Sequence, residues 1–109
     1  MEGSVIPVPT AHGEGQAVFR DIDQQNAVRW LAAAHFVDYA GHATENFPAN
    51  PNGSPLGMTA FTTADGRFNI MMPHPERAVL SSNLSWHPAD WQGASPWLRM
   101  FQNARVWAG

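Results

Sequence analysis

The chain has 109 residues, 44% hydrophobic and 14% charged, with a net charge of −3 and no cysteine. This length suits one small domain, or part of a larger one, with a thin core that buries somewhat under about 70% of its unfolded surface. The composition excludes a disordered chain, the charge leaves no footprint for nucleic acid, and disulfides and thiolate metal sites are excluded within the chain; no run approaches the roughly 18 apolar residues of a membrane span and no basic leader is present, so a soluble cytoplasmic protein is expected.

Residues 4–9, SVIPVP, carry two prolines and read as extended, and the following AHGEGQAVF places a glycine turn before a short β-prone run, giving strand, turn, strand. The segment from Asp21 to Phe36 opens with capping candidates Asp21 and Asp23 and sets Val28, Leu31, Ala32 and His35 at helical spacing, which predicts one amphipathic helix. Residues 36–40 read as a short strand, and a polar loop follows that ends in NFPANPNGSPLG. Met58–Thr63 and Phe68–Met72 form two β runs joined through Asp65-Gly66, a hairpin signal. Near the C-terminus Ser95-Pro96 supplies a cap followed by proline at the first helical position, and Trp97, Met100 or Phe101, Ala104 and Trp107 continue at helical intervals to Gly109. No repeat and no linker long enough to divide domains interrupts the chain.

The chemistry-bearing group is MMPHPER, residues 71–77, just beyond the second β run. Met72 and His74 each precede proline, whose sterics keep the preceding residue out of the helical region, so the segment is expected to run straight. Residues two apart in an extended chain share a face, which puts Glu76 within reach of His74. A carboxylate so placed accepts the proton of one imidazole nitrogen and leaves the other as a base, two thirds of a nucleophile, base and orienter arrangement. The alternative is an idle histidine at a strand end, with Glu76 paired to Arg77 or to solvent, and spacing alone leaves both open.

A rival reading combines His12, Glu14, His74 and Glu76 as a metal site with nitrogen and oxygen ligands, the core of a metal-dependent hydrolase. Nothing in the spacing brings the two pairs together, and no metal is expected. Gly13, Glu14 and Gly15 are either an exposed turn or a place where glycine lets the backbone approach a substrate closely. The tryptophans at 86, 91, 97 and 107 suit packing better than a stacking platform, because no basic groove accompanies them.

PTAHGEG, PANPNGSPLGMTAFTTADGR, IMMPHPER, SWHPADW and SPWLRMFQNARVW, taken in order, resemble the C-terminal end of the large, single-chain phosphoribosylformylglycinamidine synthase family. MMPHPER is shared more widely among class I glutamine amidotransferases. The resemblance covers the chain from about residue 5 onward and is weakest through 17–45. It implies an α/β fold: part of a three-layer class I glutamine amidotransferase domain, its back half, with a mixed sheet and flanking helices. It also implies a cysteine-histidine-glutamate triad acting on glutamine, with His74 as general base and acid and Glu76 as its orienting partner. Gly13, Glu14, Gly15 and the NPNGSP turn would line the substrate cleft. The ammonia released would pass to a synthetase domain, where ATP and magnesium activate formylglycinamide ribonucleotide, leaving this chain without a cofactor of its own.

The chain departs from that pattern in having no cysteine. Residues 1–109 are therefore expected to be an incomplete domain, inactive alone, whose nucleophile lies upstream in the rest of the synthase polypeptide. Strands that lack neighbours would leave open edges and apolar faces, so self-association is expected. The other reading is a stand-alone remnant serving as a structural or interaction module.

Overall fold

A computed structural model describes residues 1–11 and 13–109. His12, one of the rival metal ligands, lies outside the described residues. The chain forms two compact units, Met1–Ala11 with His74–Gly109, and His12–Pro73.

In the unit His12–Pro73, residues 13–19 pair in no ladder. The strand, turn, strand expected of residues 4–19 is thus absent among the described residues. Two side-chain bonds hold the segment instead: Gln16 Nε2 donates to the Gly53 carbonyl at 3.1 Å, and Ala17 N–H donates to Ser54 Oγ at 3.0 Å. Phe19 then meets Phe61 edge to face, with ring centroids 6.2 Å apart, a geometry that aims a positive ring edge at a negative face.

Helix α1 spans Ile22–Val28, capped by Asp21, whose carboxylate accepts from Gln24 N–H at 2.8 Å. Gln24 reaches back to Arg20 N–H at 2.7 Å, so two donors at the helix start are satisfied reciprocally. The helix is half as long as its spacing predicts. A single 3-10 turn, Arg29–Leu31, leads into strand β1, Ala32–His35. Alanine is the best helix former, but a ladder bonded to a neighbouring strand outweighs a propensity of this size. His35 is an exposed strand residue, not the edge of a helix face.

Strand β2, Met58–Thr62, pairs antiparallel with β1 through an irregular register, and strand β3, Asn69–Met71, pairs antiparallel with β2 in the hairpin expected of Asp65-Gly66. The sheet order is β1-β2-β3. The α/β class stands, while the mixed pairing expected of the sheet is replaced in these strands by two antiparallel ladders. A tight hairpin joins β2 to β3, and no helical crossover of the kind parallel pairing needs joins β1 to β2. The core of this unit is Phe36, Met58 and Ala60.

The NPNGSP segment is built around Asn50, which is 1% exposed. Its Nδ2 donates to the carbonyls of Thr44 and Ser54 at 2.9 and 3.0 Å, and its Oδ1 accepts from Gly53 N–H at 2.8 Å. A buried amide bonded on both ends fixes a loop that has no ladder of its own.

In the unit Met1–Ala11 with His74–Gly109, the chief element is helix α2, Trp97–Ala108, ending at Gly109 with φ +87°. Pro96 already has helical dihedrals, and Ser95 Oγ accepts from Trp97 N–H at 3.1 Å, as a serine cap with proline behind it should. Trp97 Nε1 donates to the Pro7 carbonyl at 2.8 Å and ties the N-terminal segment to the helix. The predicted apolar stripe is covered only through its first turn: Trp97, Leu98 and Met100 are half-buried, whereas Trp107 is 66% exposed.

Candidate functional site

The MMPHPER segment leaves β3 and changes direction at His74. Met72 N–H still donates to the Thr59 carbonyl at 3.0 Å, extending the hairpin by one bond. His74 has φ −106° and ψ 82°, outside the helical region as the following proline requires. Pro75 then opens a 3-10 turn, Pro75–Ala78, closed by Arg77 N–H donating to the His74 carbonyl at 3.0 Å. The segment is therefore not straight. A turn, and not an extended strand, brings residues 74 and 76 to the same side. Proline suits the first position of such a turn because its fixed φ is pre-set and its missing N–H has no partner to lose.

His74 Nδ1 lies 2.8 Å from Glu76 Oε1. Glu76 ionises below the usual glutamate range. Its own backbone N–H is the main cause and the His74 ring bond follows; partial desolvation opposes them, and the nearby charges of His74 and Arg77 add lesser contributions that lower it further. The ionised carboxylate can only accept, so Nδ1 carries the proton, and in the neutral ring Nε2 presents its lone pair. The imidazole is 36% exposed and the carboxylate 56%, so the pair is open to an approaching group while the buried Pro75 and Ala78 hold the turn beneath it. Such a pair can take a proton from a nucleophile and return it to a leaving group.

The lowered pKa of Glu76 makes stability depend on pH. A carboxyl with a lowered folded pKa stabilises the fold above its unfolded value of 4.5 and loses that contribution as pH falls through the folded value. Asp21, Asp38 and Asp65 are lowered as well, by bonds to Arg20, to the His42 backbone and to Thr63 respectively. Stability is expected to decline from just above pH 4.5 downward, and Glu76→Gln should flatten part of that slope by lowering stability near neutral pH while matching the unaltered chain at low pH. Urea midpoints across pH 2.5–7 in about half-unit steps check this. An identical slope in the variant would show that Glu76 carries none of it.

Gly13, Glu14 and Gly15 lie in the other unit, where Gly13 and Glu14 are exposed. A Cβ built on Gly13 meets nothing within 4 Å, so packing does not demand glycine there. The bonds of Gln16 and Ala17 to Gly53 and Ser54 bring the residues just after this stretch against the NPNGSP turn. No three histidine, aspartate or glutamate side chains converge as a metal site among the described residues. No helix among them is long and apolar enough to cross a membrane.

Sequence reading missed the hub at Asn50, whose signal was the Asn-x-x-Gly spacing to Gly53, typical of an asparagine that caps its own turn. Residues 1–108 match the CobB/CobQ-like glutamine amidotransferase domain. The match covers all but one residue, and within it stands a hydrogen-bonded histidine and glutamate on a proline-shaped turn, so the chain belongs to the CobB/CobQ-like glutamine amidotransferase domain family.

Proposed function

We propose that this chain supplies the base and orienting residue of a glutamine-hydrolysing site in phosphoribosylformylglycinamidine synthase, with the thiol contributed by polypeptide outside it. The observation that carries the reading is the 2.8 Å bond between His74 Nδ1 and Glu76 Oε1, which leaves Nε2 free. A cysteine sulfur attacks the carboxamide carbon of glutamine while Nε2 receives the thiol proton. The tetrahedral intermediate then expels ammonia as the imidazolium returns that proton, leaving a thioester. Water, deprotonated by the same nitrogen, cleaves the thioester to glutamate and restores the thiol. Glu76 holds the ring and stabilises its charged form. Gly13, Glu14 and Gly15 border the substrate cleft in this reading. The ammonia goes to a synthetase domain where ATP and magnesium activate formylglycinamide ribonucleotide, in the cytoplasm.

The choice of this synthase among glutamine amidotransferases rests on NPNGSP, SWHP and SPWLRMFQNAR in that order. A polypeptide joining this chain to its upstream coding sequence should form formylglycinamidine ribonucleotide, glutamate, ADP and phosphate from formylglycinamide ribonucleotide, glutamine and ATP with magnesium. Glutamine hydrolysis with no amidine product would keep the family and overturn the synthase.

Phe68 and Ile70, 70% and 69% exposed, sit beside and on β3, an outer strand of the sheet, and support cover by further protein. Isolated, the chain is expected to self-associate through such surfaces. Sizing across a concentration series checks it, and a cooperatively melting monomer at all concentrations would count against it.

A further inference from the structure

We infer that Ser95 is a positioning residue for the His74–Glu76 pair, clamping the turn that presents the pair onto the first turn of α2; the inference rests on the amidotransferase reading above for its functional meaning, and on geometry for the rest. Ser95 is 4% exposed and lies nearly twenty positions beyond the turn in sequence. Its hydroxyl donates to the Ala78 carbonyl, the last residue of the 3-10 turn, and the same oxygen accepts from Trp97 N–H at 3.1 Å. Its backbone N–H donates to the Val79 carbonyl at 2.8 Å, and next to it Ser81 N–H donates to the Gly93 carbonyl at 2.9 Å. Leu80 and Ala94 form an isolated bridge between these contacts.

The C-terminal end of the 3-10 turn is thus fixed by three hydrogen bonds to residues 93–95, while its N-terminal end carries His74. A four-residue turn of this kind has weak hydrogen-bond geometry and does not persist by itself. Glu76 sits in its middle, so the angle at which the carboxylate meets Nδ1 follows from where Ala78 is held. An N-cap alone would need only the bond to Trp97 N–H. The second bond, to Ala78, has no part in capping, and the hydroxyl's single donor together with one of its acceptor positions is spent in joining the two elements. Alanine at 95 would release the Ala78 carbonyl and leave the end of the turn held by the backbone bonds alone, whereas threonine keeps the hydroxyl.

The test reads the pair and not glutamine turnover. Long-range nitrogen-proton NMR spectra of the whole chain report the His74 tautomer, and side-chain carbon shifts report the Glu76 titration. In the unaltered chain Nδ1 is expected to be the protonated nitrogen. In Ser95→Ala the ring should shift toward the tautomer mixture of free imidazole and Glu76 should titrate closer to 4.5, while Ser95→Thr should restore both. If Ser95→Ala does not fold, hydrogen exchange on the unaltered chain decides: the Arg77 and Ser95 amides should open with one common protection, and independent opening would overturn the clamp. A folded Ser95→Ala chain with unchanged tautomer and titration would also overturn it. Loss of the tautomer in that variant, alongside a joined polypeptide that never hydrolyses glutamine, would uphold the clamp and sink the amidotransferase role of the pair instead.

Discussion

His74→Ala is expected to reduce glutamine hydrolysis by about 10²–10⁴-fold in kcat when the chain is joined to the thiol-bearing polypeptide, with KM for glutamine little changed. That loss corresponds to roughly 3–5 kcal/mol of barrier. The estimate follows from what the ring does in the proposed cycle. It takes the thiol proton before attack and returns it to ammonia, and neither transfer contributes to holding glutamine in the ground state. Glu76→Gln should do less harm, because a side-chain carbonyl can still accept from Nδ1 and keep the ring oriented, although it no longer stabilises the imidazolium. Its effect should therefore fall on kcat, where the imidazolium forms, more than on KM. Stopped assays of glutamate release at saturating and limiting glutamine separate the two constants. A His74→Ala enzyme with unaltered kcat would remove the imidazole from the mechanism, and equal losses for both variants at every pH would assign Glu76 more than orientation.

The pairing of residues 74 and 76 was legible in the sequence, but for a reason that the structure replaces. Two prolines predict a straight chain, and at Pro75 only the first half of that argument holds: it keeps His74 out of the helical region, but it also begins a turn. The hairpin was legible because Asp-Gly between two alternating runs is a local signal that needs no distant partner. The capping of α2 was legible for the same reason. Ala32–His35 was not, since its conformation comes from pairing with β2 about 25 residues away, and alanine spacing carries no trace of that. Nor was the second bond of Ser95, or the docking of Gln16 and Ala17 on the NPNGSP turn. Each is a single side-chain contact across a long loop, and sequence periodicity reports faces of elements, not individual long-range bonds.

Gly57→Ala is expected to destabilise the unit His12–Pro73 by on the order of 3–5 kcal/mol, a large part of the stability of a domain this small. Gly57 is buried just before β2, with φ +69°, where any Cβ is disfavoured by about 1–2 kcal/mol. Space makes matters worse. A Cβ built there would stand 2.7 Å from the Phe36 carbonyl oxygen and 3.0 Å from that of Thr44. Neither oxygen can retreat freely, because the Phe36 carbonyl accepts from Thr44 N–H at 3.0 Å, while Phe36 N–H donates to the Gly57 carbonyl at 2.7 Å. Relief of the contact breaks at least one of these buried bonds, and each unsatisfied group costs about 1–3 kcal/mol. Leu56, itself at φ 54°, leaves no slack in the preceding residue. Gly66→Ala isolates the dihedral effect, for Gly66 has φ +71° with nothing within 4 Å of an added Cβ. Urea denaturation of both variants should therefore place Gly57→Ala at least about 2 kcal/mol below Gly66→Ala. Equal losses would mean that the three converging backbone segments yield without breaking their bonds, and that the start of β2 is not held by the absence of a side chain.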